Sequence, residues 1–233
     1  MIVLHHCVSA RSFRPLWMLE ELRLDYELNV LPFPPREQNS DYRAVNPLGT
    51  VPAFFDGSVC MTESAAICQY LVTRYGPTEM NVGLNEESYG EFLNWLHFGE
   101  ATLTFPQTIV LRYSRFEAPE RRLPQAAADY TRWFLSRLRS VESAVSSRES
   151  LCGGRFTAAD VSVGYALMLA EDLDLAWKFS PGVMAYWQRL KSRAAFKSAL
   201  ERQGRAALEQ GVSPVSSARS ATVTDAVVSE KPG

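Results

Sequence analysis

The spacing of apolar and polar residues changes character near residue 76. Before that point, short apolar runs alternate with helical stripes. Residues 2–6 form an apolar run suited to a buried strand. A small polar loop, 7–12, comes next. Over 13–24, Leu16, Leu19 and Leu22 share one helical face, and Pro15 falls in the first turn, where its missing N–H is tolerated. Residues 26–31 read as a second strand stopped by Pro32, Pro34 and Pro35. A short irregular helix is expected at 40–44. Two strands at 52–55 and 58–61 flank an Asp56-Gly57 turn, and a helix over 63–75 ends at Gly76-Pro77. The order β-α-β-α-β-β-α predicts a small mixed sheet with helices on both faces.

Residues 76–84, rich in Gly, Pro and Asn, read as a linker. Everything beyond reads as helix: an aromatic-rich segment over 85–112, an amphipathic one over 119–148, the most apolar over 157–170, and shorter ones near 181–192 and 193–210. From Gly211 the chain carries no aromatic residue, Leu or Ile. Such a tail cannot offset an ordering cost of about 1–2 kcal/mol per residue, so it is expected to be disordered. The reading is a mixed α/β domain over 1–76, a linker over 77–84, an all-helical domain over 85–210 and a disordered tail over 211–233.

Composition narrows the field. Of the 233 residues 46% are hydrophobic and 21% charged, and 24 basic against 26 acidic residues give a net charge of -2. That balance lacks the basic excess of a nucleic-acid binder. No apolar run reaches the roughly 18 residues of a membrane helix, and the N-terminus lacks the basic region of a signal peptide. Cys7, Cys60, Cys68 and Cys152 form no CxxC pair, which argues against a disulfide framework or a zinc site and for a cytoplasmic protein. The three histidines, His5, His6 and His97, make no metal-ligand spacing, so no metal is expected.

Two features carry chemistry. A helix starting near Thr62 offers free N–H groups and a positive dipole end to an anion. There Ser64 can donate to a carboxylate and Glu63 can accept from an ammonium, the two demands of an amino acid's polar end. Read more plainly, Thr62 or Ser64 is an N-cap and Glu63 a favourable first-turn acid. Upstream, Val51-Pro52 opens a strand. A cis bond there would turn the Val51 N–H and C=O outward, to pair with a peptide-like ligand as an added strand does. The plain alternative is an edge proline that blocks aggregation.

Asn46-Pro-Leu-Gly-Thr-Val-Pro-Ala together with Thr62-Glu-Ser-Ala-Ala-Ile-Cys-Gln-Tyr-Leu resembles the glutathione-site signature of the glutathione transferase superfamily, of the bacterial and fungal cytosolic type. The segment from Arg11 to Leu28 resembles that family's first strand-to-helix region, Trp95-Leu-His-Phe-Gly-Glu-Ala a helical motif of one subgroup, and Phe156-Thr-Ala-Ala-Asp-Val the capping motif of its C-terminal domain. Together they cover about residues 1–205. The resemblance implies a thioredoxin-like N-terminal domain and an all-α C-terminal domain. It also implies glutathione as co-substrate, a small apolar electrophile as second substrate, a role in detoxification and a homodimer.

On that resemblance Val51, Pro52, Glu63, Ser64 and Arg11 would bind glutathione, and Trp95, Phe98 and Phe105 would face the electrophile. Family members activate the thiol with a hydroxyl or cysteine in the loop before the first helix. Here the loop offers Ser12, first because it borders the helix start, and Ser9, second; related sequences often carry a serine where this chain has Ala10. Ser12 equally suits a bare N-cap. Arg14 reads as solvent-exposed with glutamate partners. Thr157 and Asp160 read as a capping box with Phe156 and Val161 as its staple, a folding device. Alternatives are another glutathione-dependent enzyme (an isomerase, a peroxidase, or a mixed-disulfide reductase that would use Cys7) and a non-catalytic partner-binding protein.

Overall fold

The computed structural model describes residues 1–220. Strand β1 (Ile2–His6) alternates buried and half-buried positions, as a strand with unequal faces must. It lies inside a four-stranded sheet of order β2-β1-β3-β4. Strand β2 (Tyr26–Val30) runs parallel to it, Ile2 opposite Tyr26 and His6 opposite Val30. A parallel pair needs a crossover. Helix α1 (Phe13–Leu22) supplies it, burying Phe13, Leu16, Trp17 and Leu19 and ending at Arg23 with left-handed φ of 53°.

The short helix expected at 40–44 is α3 (Tyr42–Val45), and a further one-turn helix, α2 (Pro35–Gln38), precedes it. Strand β3 (Ala53–Asp56) then pairs antiparallel with β1, and β4 (Val59–Met61) forms the edge through the expected hairpin, where Gly57 takes φ of 58°. Helix α4 (Ser64–Arg74) closes a thioredoxin-like domain.

The helical domain departs from its sequence pattern at one informative place. The expected single helix over 85–112 is α5 (Tyr89–His97), a π-helical stretch over Phe98–Thr104, α6 (Phe105–Leu111), and a second π-helical stretch over Arg112–Phe116. A π turn holds more residues than an α turn, so it rotates α6 relative to α5. Gly99 lies within the first: a Cβ there would come within 2.4 Å of the Ser162 hydroxyl oxygen and 2.6 Å of its carbonyl carbon. Helix α7 (Pro124–Val145) packs against α6, and α8 (Ala158–Asp172) is buried along nearly its whole length, as its apolar run requires.

At the start of α8 the capping box is present: the Thr157 side chain accepts from Ala159 N–H, and Asp160 accepts from Thr157 N–H at 2.8 Å. Asp160 also accepts from Leu151 N–H and the Tyr186 hydroxyl, which satisfies a carboxylate with no solvent contact. The Phe156 ring lies against Trp17 and beneath the Arg193 guanidinium, so this residue joins the two domains.

Helices α9 (Pro181–Ser192) and α10 (Ala194–Glu209) complete the body. Phe196 meets Trp17 edge-on at 4.9 Å, and Arg193 clamps Glu21 through two nitrogens. The expectation of a disordered tail from 211 fails for its first part. Helix α11 (Ser217–Ser220) docks on the helical domain. There Ala218 is buried, the Arg115 guanidinium donates to the Ala218 carbonyl, and Arg219 pairs with Asp172 at 2.5 Å. Hydrogen bonds and one charge pair do what the missing large apolar residues could not. The remainder of that expectation lies outside the described residues.

Candidate active site

The loop between β1 and α1 is held from behind by a polar chain. Cys7 N–H donates to Ser12 Oγ at 3.2 Å, the Ser12 hydroxyl donates to His6 Nδ1 at 2.8 Å, and His6 Nε2–H donates to Gln203 Oε1 at 3.0 Å. Gln203 Oε1 also accepts from Ser9 N–H at 2.9 Å, which fixes the amide's orientation and, through it, the histidine tautomer. Burial pushes His6 down to about 4 despite its two hydrogen bonds, so it is neutral at ordinary pH. Ser9 takes φ of 55°, a left-handed conformation uncommon for serine. Gln203 of α10 braces it at both N–H and Oγ.

This arrangement separates the two loop serines. Ser12 is wholly buried, and its proton is committed to His6. It serves neither as a side-chain cap nor as a solvent-facing donor. Ser9 is half-buried, lines the cleft between the domains, and accepts from Gln203 Nε2 at 3.3 Å, so its own proton has no acceptor among the described residues. Cys7 is buried, and burial pushes its thiol up to about 12, far from a reactive thiolate.

Arg14 corrects the expectation of an exposed side chain. It has no solvent exposure. Its guanidinium donates to Ser64 Oγ at 3.1 Å, Glu100 Oε2 at 2.5 Å, Gly99 O at 3.1 Å, Thr104 Oγ1 at 2.7 Å and Ser162 O at 3.1 Å, and lies 4.3 Å from the Tyr165 ring centre. Every N–H direction is used, as a buried arginine requires. Glu100, presented by the first π turn, takes Arg14 on one oxygen and Arg11 on the other, each at 2.5 Å. Burial works against its charge, but the two arginines outweigh that and hold its carboxyl below the usual range. Two guanidinium groups on one carboxylate leave one positive charge over.

That surplus lies beside the start of α4. Ser64 is its first residue, with its hydroxyl oxygen taken by Arg14 and no acceptor for its proton among the described residues. No side chain caps the first turn, so its N–H groups are open. Glu63, just before it, is exposed and close enough to Arg11 to favour that guanidinium's charge. The Val51–Pro52 peptide is cis, and neither the N–H nor the C=O of Val51 pairs with a described residue.

A cleft of about 760 Å³ opens between the two domains. The thioredoxin-like side contributes Val8, Ser9, Ala10 and Arg11, with Phe33, Pro34, Arg36 and Glu37. The helical side contributes Thr108, Leu111, Arg112, Phe116, Glu117, Arg121, Tyr165 and Leu169, and α11 adds a wall through Ser216, Ser217 and Ala218.

None of the three aromatic residues expected to face an electrophile lines it. Trp95 is buried and meets Phe98 edge-on at 5.0 Å, while Phe105 is exposed elsewhere. Uninterrupted α-helical phase would group these aromatics on one face, but the π turn rotates α6 so that Thr108 and Leu111 meet the cleft. Tyr165, Glu100 and Gln203 were not legible as site residues, because each gains its role from a partner more than sixty residues away. Among the described residues there is no cluster of metal-ligating side chains. Nor is any helix long and apolar enough to cross a membrane.

A thioredoxin-like sheet carrying an open helix N-terminus and an unpaired peptide edge, faced by an all-α domain, is the architecture of thiol-peptide-binding transferases. The family model described as glutathione S-transferase, N-terminal domain, matches residues 8–74. Glutathione S-transferase 3 of Schizosaccharomyces pombe is 28% identical over 215 residues, covering 87% of this chain and 88% of that one. Glutathione S-transferase GstA of Escherichia coli O157:H7 is 30% identical over 169 residues, covering 72% and 81%. Among solved structures, Ure2p5 from Phanerochaete chrysosporium, cocrystallized with 1-(S-glutathionyl)-2,4-dinitrobenzene, shares the fold with a TM-score of 0.76 at 23% identity, covering 89% of this chain and 96% of that one. The chain belongs to the glutathione S-transferase family and is a glutathione transferase.

Proposed function

We propose that the protein binds glutathione across Val51, Glu63 and Ser64 and joins its thiolate sulfur, still part of the tripeptide, to a small apolar electrophile seated in the interdomain cleft. The observation that carries this reading is the continuous chain Arg11–Glu100–Arg14–Ser64, which ties a surplus positive charge and the open start of α4 to the loop bordering the cleft. Glutathione's γ-glutamyl carboxylate would take the α4 N–H groups and the Ser64 proton. Its ammonium would meet Glu63, and its cysteinyl backbone would pair with Val51 as an added strand. The sulfur would then lie near Ser9, whose free proton can donate to a thiolate, beside the Arg11 charge. Each unit by which these lower the thiol pKa corresponds to about 1.4 kcal/mol. Catalysis is proximity plus thiolate stabilisation.

The Ure2p5 complex, with a glutathionyl aryl conjugate, supports conjugation as the reaction. The buried, high-pKa Cys7 speaks against a disulfide reductase working through it. A homodimer and a cytoplasmic setting complete the reading.

Glu63→Ala should weaken glutathione binding about tenfold or more, since it removes the only acceptor expected to face the ammonium. Titration calorimetry of the variant measures this, and an unchanged dissociation constant would refute the assignment.

A further inference from the structure

We propose that the second substrate is an apolar electrophile bearing an oxyanion, a carboxylate or its equivalent, which Arg112 and Arg121 receive. This rests on the transferase reading and names the substrate class of the same cleft. Four arginines line the cleft against two glutamates. Arg36 and Glu37 are 3.4 Å apart and both exposed, a self-neutralising pair. The surplus of the Arg11–Glu100–Arg14 group lies by the α4 start and the loop, and answers glutathione's own anionic groups. A second surplus remains on the helical wall. There Glu117, with only 14% of its side chain exposed, takes Arg112 Nε on one oxygen at 2.8 Å and Arg121 Nε on the other at 3.2 Å.

Both arginines use Nε for that clamp, and their terminal nitrogens donate to no described residue. Two guanidinium forks are therefore fixed at one end, open at the other, and carry one net positive charge. Beside them Phe33 and Phe116, one from each domain, face each other at 5.3 Å and with Leu111 give the cleft an apolar lining. A ligand with an aromatic body and a peripheral carboxylate matches both halves: the body takes the apolar lining and the carboxylate the forks. A wholly neutral electrophile would leave those charges to solvent.

The test uses the full chain at saturating glutathione with 4-chloro-3,5-dinitrobenzoate and its neutral carboxamide, each rate divided by the uncatalysed one. In both, the thiolate sulfur gives its electron pair to the ring carbon bearing chlorine, the C–S bond forms, the C–Cl bond breaks, and chloride leaves with its pair. The thiol proton goes to solvent.

The normalised kcat/KM should favour the carboxylate by about tenfold, and the preference should shrink with salt. In the R112Q/R121Q variant the ratio should fall to near one. R121Q alone, at an exposed position, should give an intermediate ratio should the double variant fold poorly. A wild-type ratio near one, or a ratio unmoved by the substitutions, would overturn the proposal.

Calorimetry with the unreactive 3,5-dinitrobenzoate and 3,5-dinitrobenzamide, with and without S-methylglutathione, separates this claim from the transferase reading. Selective binding of the benzoate without any turnover upholds the anion site and refutes catalysis. Equal binding of both compounds refutes the anion site whatever the turnover.

Discussion

Ser9 and Ser12 are the same residue three positions apart, yet their surroundings differ. Ser12 Oγ accepts from Cys7 N–H and donates to His6 Nδ1 in a region with no solvent. Its removal leaves a buried donor and a buried acceptor unpaired, so Ser12→Ala should destabilise the fold by about 1–3 kcal/mol. A urea titration, reading the shift in midpoint at unchanged slope, measures this. Normal stability with lost turnover would restore Ser12 as the thiol ligand. Both serines were legible as candidates. Their hydrogen-bond partners were not, because neither the fold of His6 onto Ser12 nor the reach of Gln203 to Ser9 leaves a mark within the loop. Arg14 shows the same limit: a charged residue in a first helical turn reads as solvated until Glu100 and four other acceptors surround it.

Among the strands and helices, most of the fold was legible. Strands β1 to β4, helices α1 and α4, and the α8 capping box arise from period, proline and turn residues. The π turns did not. Nothing local in Phe98–Thr104 announces an extra residue per turn; within it Gly99 packs against Ser162, a contact that only the fold supplies. The turn presents Glu100 to Arg11 and Arg14 and changes the phase at which α6 follows α5, so that Phe105 points away from the cleft. Helix α11 leaves no apolar pattern in the sequence for a related reason: it docks by polar pairing. Truncation after Gln210 strips Asp172 of Arg219 and Arg115 of the Ala218 carbonyl. That loss should cost about 2–4 kcal/mol and lower Tm by several degrees, measured by calorimetric melting. A melting temperature equal to that of the full chain would show that the docking is energetically idle.

Across the whole molecule, the two domains share one polar spine as well as an aromatic one. His6 in the sheet and Gln203 in α10 join through the imidazole, and Trp17 and Phe196 meet beside them. The imidazole makes the joint acid-sensitive. Its folded-state pKa, about 4, lies below the value of 6.5 for the open chain. Between those values the unfolded chain binds the proton and the folded one does not. The stabilisation is therefore complete above pH 6.5 and is lost as pH falls toward about 4. The loss sums to about 3 kcal/mol. Urea midpoints measured across that range should show this slope, and His6→Gln should flatten it; an equal slope in the variant would place the titration elsewhere.

In the proposed reaction everything depends on the Ser9–Arg11 loop receiving glutathione as a thiolate. A pH titration of protein-bound glutathione by ultraviolet difference absorbance, which registers the thiolate, probes that step for the wild-type chain and for Ser9→Ala. The bound thiol pKa should lie at least about one unit below that of free glutathione, and should rise toward the free value in the variant. Glutathione bound only as the neutral thiol, or a thiolate indifferent to Ser9, would contradict this role for the loop.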